Sequence, residues 1–123
     1  MSVAHDPADL DRILERARAV NTEHPVVVSK FETGAREIEI DAVADEGKLA
    51  LWAICEHVED AGVHSGDATL MLPPQTVPVP IIHRAKKIAA QLAEALAITG
   101  PFNLQLLVRH GRVRVIEVNL RAS

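Results

Sequence analysis

The sequence predicts an α+β fold in which two main helices cover one face of a mostly antiparallel sheet. Two stretches place apolar residues at helical spacing, one near the amino terminus and one from about residue 80 to residue 98. Shorter apolar or alternating runs, bounded by turn-forming residues, predict about six strands. The last two runs flank a Gly-containing turn and predict a β-hairpin.

The first helix is predicted to begin at Asp6 and Pro7 and to run to about Val20. Asp6 is a favourable N-cap residue, and the fixed φ of Pro7 suits the first helical position. Apolar residues then recur at helical spacing, namely Leu10, Ile13, Leu14, Ala17 and Val20. Pro25 follows and opens a predicted short strand over residues 26–28.

Residues 36–44 alternate in character and predict the next strand. One face carries Ile38, Ile40 and Ala42, and the other face carries Glu37, Glu39, Asp41 and Val43. A turn at residues 45–47 leads into a strand from Lys48 to about Glu56.

A short strand over residues 68–72 and a long helix over about residues 80–98 complete the middle of the chain. Two prolines end the strand, and apolar residues at three- and four-residue intervals mark the helix. Residues 99–101, Thr-Gly-Pro, are predicted to end this helix.

Composition and charge exclude several classes of function. The 123 residues suit one domain, predicted to span residues 1–123, and 48% of them are hydrophobic, which suffices for a core. A net charge of -4 and an aromatic content of 2% argue against a nucleic-acid surface, and no apolar run is long enough for a membrane span. The single cysteine, Cys55, and the lack of a signal-peptide pattern predict a cytoplasmic protein.

Polar residues interrupt the apolar strands of the hairpin. Gln105 lies in the first strand, and Glu117 and Asn119 lie two apart, hence on one face, in the second. A desolvated carboxylate needs compensation, and carboxylate and amide oxygens are ligands that suit Mg²⁺, which often brings substrate phosphates with it. The alternative is an edge hairpin whose polar face lies in water.

The register of the hairpin decides whether these three residues meet. A two-residue turn at His110 and Gly111 would pair Gln105 with Ile116 and turn Glu117 to the other face. A three-residue loop containing Gly111 would restore a common face, and we expect this loop.

Residues 56–67 are predicted to be irregular and are rich in functional residue types. They include two histidines, four acids, two glycines and a serine. Gly62 and Gly66 would let backbone amides approach an anion closely, whereas the alternative is a solvated turn.

Four blocks of this sequence resemble the large subunit of carbamoyl phosphate synthetase. They begin at Ser29, Glu56, Thr99 and Val115, and the most specific reads Glu-His-Val-Glu-Asp-Ala-Gly-Val-His-Ser-Gly-Asp. The sequence of this block is more similar to the second, carbamate-phosphorylating half of that subunit than to the first. The resemblance implies the C-terminal subdomain of an ATP-grasp fold, which clamps ATP between two subdomains.

The resemblance also implies roles for individual residues. Lys30 and Glu32 would lie at the hinge beside the adenine, although the family commonly has an apolar residue in place of Glu32, and Glu37 would accept hydrogen bonds from the ribose. The nucleotide would be lined by His57, Gly62, Val63, His64 and Ser65. The magnesium or manganese ions would be held by Gln105, Glu117 and Asn119, and the catalytic residues would be Asn119 and Arg121.

The resemblance implies an ATP-dependent ligase that uses Mg²⁺ or Mn²⁺ and acts on carbamate or bicarbonate, in pyrimidine or arginine biosynthesis. Its partners would be the rest of the large subunit and a glutaminase subunit or domain, and the parent protein could be mitochondrial. Half of the clamp is not in this chain, so the isolated chain is expected to be inactive. Two alternatives stay open: a non-catalytic nucleotide-binding or scaffold module, and part of another ATP-grasp ligase.

Overall fold

The computed structural model describes residues 2–20, 24–61 and 68–121. The contacts divide the chain into two compact units, residues 1–32 and residues 33–123, and each is described by itself. The first unit contains α1, Pro7–Val20. The carboxylate of Asp6 accepts a hydrogen bond of 2.8 Å from the backbone N–H of Asp9, so the predicted N-cap is confirmed.

The strand predicted at residues 26–28 is wrong, because this run pairs with no strand in the described part of the chain. Val26, Val27 and Val28 instead line an apolar groove together with Leu10 and Ile13 of α1. Their β-branched side chains favoured a strand, but a strand also needs a hydrogen-bonding neighbour.

The second unit is a five-stranded antiparallel sheet with one helix. Its elements are β1 (Arg36–Asp45), β2 (Lys48–Asp60), β3 (Leu70–Met71), α2 (Val79–Ala95), β4 (Gly100–Arg109) and β5 (Arg112–Asn119). The strand order is β3-β2-β1-β4-β5. The described residues thus contain five strands, rather than about six, and the predicted α+β class with an antiparallel sheet is confirmed. Neither helix is long and apolar enough to cross a membrane.

The core lies between α2 and one face of the sheet, and the predicted alternation of β1 is confirmed. Ile38 and Ile40 point into this core and are completely buried. On α2 the core positions recur every four residues, at Ile81, Ala85, Ala89 and Ala93. Because three of these four residues are alanines, the helix packs close to the large side chains of the sheet, which include Phe102, Leu104 and Leu106.

Strand β2 is longer than predicted, and β3 is shorter. The sequence placed the end of β2 near Glu56, but the strand continues to Asp60 because it pairs with β1 on one side and with β3 on the other. The pairing is irregular opposite residues 36–38 of β1, where β2 carries extra residues. The polar residues of β2 in this region do not alternate regularly, so the sequence did not predict that the strand continues.

Helix α2 ends three residues earlier than predicted. Its last turn closes with hydrogen bonds from Ala97 N–H to Glu94 O (3.1 Å) and from Ile98 N–H to Ala93 O (2.9 Å). This is the Schellman pattern, in which the residue after the C-cap is left-handed, and here Ala97 adopts a φ of 47°. The sequence pointed to Gly100 because glycine usually fills this position, but Gly100 belongs to β4.

Candidate functional site

The sheet face opposite α2 carries a row of polar side chains across three strands. Glu39 of β1 pairs with Gln105 of β4, and Gln105 pairs with Glu117 of β5. Directly opposed residues of antiparallel strands share a face. A second row lies beside the first and consists of Asp41, Asn103 and Asn119. Gln105, Glu117 and Asn119 therefore share one face, as predicted.

The predicted three-residue loop at the tip of the hairpin is wrong. A two-residue turn followed by a β-bulge places the three residues on one face instead. Arg109 pairs with Arg112, so His110 and Gly111 form a two-residue turn. Both turn residues have positive φ, 48° and 73°, as a type I′ turn requires. A β-bulge then follows, because Leu106 pairs with Val115 while Gln105 pairs with Glu117. The one extra residue, Ile116, returns Glu117 to the face of Gln105.

Glu39 accepts several of the hydrogen bonds on the polar face. Its Oε1 atom lies 3.0 Å from His57 Nε2 and 3.4 Å from Gln105 Nε2. Its Oε2 atom lies 3.3 Å from Asn103 Nδ2, which also donates to Asp41 Oδ1 at 3.1 Å. Glu39 and Asn103 were not among the site residues predicted from the sequence. Their positions in the sequence did indicate the shared face, since Glu39 lies two residues after Glu37 and Asn103 lies two residues before Gln105.

A second group on this face consists of Glu37, Glu39 and His57, whose potential ligand atoms all lie within 4.8 Å of one another. All three side chains are buried, with exposures of 6%, 4% and 4%. Burial raises the pKa of Glu37; the charge of His57 lowers it, and the charge of Glu39 raises it further. The charged form of Glu37 is therefore less favoured here than in water.

The resemblance also assigned Lys30 and Glu32, which lie in the first unit. Lys30 Nζ is 3.2 Å from Glu32 Oε1, so the two form an ion pair. The acid that replaces the family's apolar residue therefore has a partner in the neighbouring lysine. Their role beside the adenine stays a prediction.

The predicted nucleotide-lining residues Gly62, Val63, His64 and Ser65 lie outside the described residues. His57 lies within them, on β2, with its ring directed at Glu39. Arg121 follows the end of β5 and is exposed, and its backbone N–H donates to Asn119 O at 2.9 Å.

Glu56, the neighbour of His57, faces the opposite side of the sheet, since it pairs with Ile38. Its buried carboxylate accepts hydrogen bonds from the backbone N–H groups of Gln75 (3.0 Å) and Thr76 (2.9 Å) and from Arg36 Nη1 (3.1 Å). Burial works to raise its pKa, but the bonds from Thr76 and Gln75 and the charge of Arg36 outweigh this effect and lower the pKa. Glu56 thus binds residues 75–76 to β2, the strand that also contains His57.

Comparison with known families identifies the fold and the nucleotide. The chain matches, over residues 1–123, the family model described as carbamoyl-phosphate synthase L chain, ATP binding domain. The chain belongs to this family. ATP is therefore the nucleotide of this domain, and the predicted class of ATP-dependent ligase is supported by its relatives.

Curated relatives are much longer than this chain. It is 55% identical over 123 residues to the mitochondrial carbamoyl-phosphate synthase (ammonia) of Mus musculus, all of the chain aligning with 8% of that protein. It is 53% identical over 127 residues to the carbamoyl phosphate synthase arginine-specific large chain of Eremothecium gossypii, of which it covers 11%. It is 51% identical over 123 residues to the multifunctional protein pyr1-3 of Dictyostelium discoideum, of which it covers 6%.

Solved structures confirm the ATP-grasp fold. The D-alanine–D-alanine ligase of Bacillus anthracis complexed with ATP superposes with a TM-score of 0.67 at 22% identity, over 94% of this chain and 36% of the ligase. A second structure of that ligase gives a TM-score of 0.61 at 24% identity. At these identities the likeness concerns the fold alone.

Proposed function

We propose that the polar face of β1, β4 and β5 holds the magnesium complex of ATP, and that in the complete synthetase this ATP phosphorylates carbamate. The observation that carries the proposal is the row Glu39–Gln105–Glu117, with Asn119 beside it. Glu39 and Asn103 on this face are buried although the apolar core lies on the other face, so packing of that core does not account for them. The family supplies the nucleotide, and Gln105, Glu117 and Asn119 supply the groups that would bind its metal.

The donor set fits a hard divalent cation. Gln105 and Asn119 offer amide oxygens, and Glu117 offers a carboxylate, which is the oxygen-only chemistry that Mg²⁺ and Mn²⁺ accept. Gln105, Glu117 and Asn119 would hold the ion, which would supply positive charge to offset the negative charge of the ATP phosphates. With one carboxylate among these three residues, the protein would neutralise only part of the charge of the ion.

The remaining residues would act on the other parts of the nucleotide. Glu37 would accept hydrogen bonds from the ribose hydroxyl groups, and Lys30 and Glu32 would lie beside the adenine. Gly62, Val63, His64 and Ser65 would line the nucleotide with His57. Arg121 would steady charge on the transferring phosphoryl group.

The substrate and partners belong to the whole protein, of which the chain corresponds to 6% to 11% in the relatives named above. The proposed partners are the remaining domains of the large subunit and a glutaminase subunit or domain. The substrates would be carbamate or bicarbonate. Two of those relatives are carbamoyl-phosphate synthases by name.

Calorimetric titration of the chain with ATP, in the presence and absence of Mg²⁺, tests the proposal. Glu117→Ala removes the one charged ligand, so affinity for MgATP should fall at least about tenfold. Altering a residue that only hydrogen-bonds to a metal ligand typically costs about 10–100-fold in affinity, and Glu117 would bind the metal itself. The matched control is Glu94→Ala, which removes an exposed acid from α2, away from the polar face. Equal loss in both variants, or binding that does not depend on Mg²⁺, would contradict the proposal.

A further inference from the structure

Glu39 is a buried carboxylate in the central part of β1, where an apolar residue would cost less. Its exposure is 4%, and it lies between β2 and β4 with hydrogen-bond donors on both sides. Burial of a charged group is unfavourable unless hydrogen bonds compensate it. Glu39 therefore has a role other than filling the sheet, and the identity of its donors indicates which one.

Two of these donors are side-chain amides, and a carboxylate fixes how an amide points. A carboxylate oxygen accepts hydrogen bonds, so it selects the NH₂ branch of an amide and turns the C=O branch away. Gln105 places Nε2 at 3.4 Å from Glu39 Oε1. Its Oε1 atom is then the branch that does not contact Glu39. In the register, Gln105 lies between Glu39 on one side and Glu117 on the other.

Asn103 reinforces this selection. Its Nδ2 atom lies between Glu39 Oε2 and Asp41 Oδ1, at 3.3 Å and 3.1 Å. Two carboxylates thus share the NH₂ group of Asn103, while Oε1 of Glu39 remains for the amide of Gln105 and the ring of His57. The same contact bears on the imidazole. A carboxylate can only accept, so opposite a charged Glu39 the Nε2 atom of His57, at 3.0 Å from Oε1, carries the hydrogen.

We propose that Glu39 is a positioning residue that aims the amide oxygen of Gln105 at the divalent cation and holds His57 with a proton on Nε2. This inference rests on the proposed metal site, since Gln105 is one of its ligands. Partners that orient metal ligands in this way typically change metal affinity by about 10–100-fold when they are altered. Glu39 would bind neither the metal nor the nucleotide itself.

The decisive variant is Glu39→Gln, which keeps the size of the side chain and replaces one acceptor oxygen by a donor. The dissociation constant of Mn²⁺ in the presence of ATP, measured by electron paramagnetic resonance, should rise at least about tenfold. Glu39→Asp keeps both acceptor oxygens and should recover part of the loss. The matched control is Glu56→Gln, the same change at an equally buried carboxylate on the opposite face, which should leave Mn²⁺ affinity within about twofold.

A second measurement reads the positioning without metal or nucleotide. In nitrogen NMR spectra of the chain, Glu39→Gln should shift the side-chain amide of Gln105 and the ring nitrogens of His57, and Glu56→Gln should not. Unchanged resonances would overturn the proposal, as would unchanged Mn²⁺ affinity in a folded Glu39→Gln variant. If the unaltered chain binds no Mn²⁺ with ATP, the proposed function fails, and the resonances alone then decide whether Glu39 orients its neighbours. If Glu39→Gln does not fold, the same two measurements on Glu39→Asp decide, with a smaller rise expected.

Discussion

The backbone N–H of Gly47 donates a hydrogen bond of 2.9 Å to the carbonyl oxygen of Ile98. This bond joins the turn between β1 and β2 to the segment that follows α2. A β-carbon on Gly47 would lie 3.1 Å from Glu94 Cα and 3.2 Å from Ala93 O, both backbone atoms of the helix. The turn therefore requires glycine for space as well as for its φ of 78°.

Gly47→Ala should lower the free energy of unfolding by about 2–4 kcal/mol, because left-handed backbone strain and crowding against the helix add together. Gly111→Ala is the control, since Gly111 has a similar φ of 73° but no atom within 4 Å of the added β-carbon. Its loss should be only about 1–2 kcal/mol. Urea unfolding of both variants measures the difference, and equal losses would show that the close approach is unimportant.

Ala97→Gly should stabilise the protein by up to about 1 kcal/mol, since glycine adopts the left-handed conformation of this C-terminal cap without strain. Ala95→Gly, within the last turn of α2, should instead destabilise it by about 1 kcal/mol. Thermal unfolding of the two variants gives opposite shifts of Tm if the Schellman cap is correct. A fall in Tm for Ala97→Gly would contradict the left-handed assignment.

The acid stability of the sheet unit should depend on Glu56. Its folded-state pKa is lowered, so the unfolded chain takes up the proton first as the pH falls. The stabilising contribution is thus fully present above the ordinary glutamate pKa of about 4.3 and is lost as the pH falls through the lower folded-state value. As the pH falls from about 7 to about 3, the free energy of unfolding should decline less steeply for Glu56→Gln than for the unaltered chain. Glu94→Gln, at an exposed helical site, should show the same decline as the unaltered chain. If Glu56→Gln also declines as steeply as the unaltered chain, Glu56 does not have this role.

The 123-residue chain should bind MgATP without turning it over. Glu117 and Arg121 are exposed, so phosphates bound beside them stay in contact with water, and phosphoryl transfer depends on tight positioning. Phosphate release in the presence of bicarbonate or carbamate should equal the background of a Glu117→Ala sample. Carbamate-dependent turnover that disappears in Glu117→Ala would disprove this prediction, while turnover equal in both samples would indicate a contaminant.

The parts of the fold that depend on local pattern could be predicted from the sequence. The helical spacing and N-cap of α1 and the two-sided alternation of β1 were correct. The resemblance supplied the family, which no spacing argument reached alone. The common face of Gln105 and Glu117 was also correct, although the turn proposed to produce it was not.

The errors concern features that only tertiary contacts decide. Residues 26–28 have strand-forming side chains, but no neighbouring strand in the described residues pairs with them. The left-handed residue at the end of α2 is Ala97, whereas the sequence predicted that residues 99–101, which include Gly100, would end the helix. The role of Glu39 likewise needs the register of three strands, since its partners lie 18, 64 and 66 residues away in the sequence.

The bulge at Ile116 lets one strand meet two requirements at once. A two-residue turn followed by the bulge pairs Gln105 with Glu117, and a three-residue turn over residues 110–112 without the bulge would give that same pair. The two registers are not equivalent, because a shift of one residue turns the side chains of β5 between the tip and Leu106 to the other face of the sheet. Without the bulge, Val113 would leave the core against which it packs. The bulge therefore keeps Val113 on the core face while Glu117 lies on the polar face.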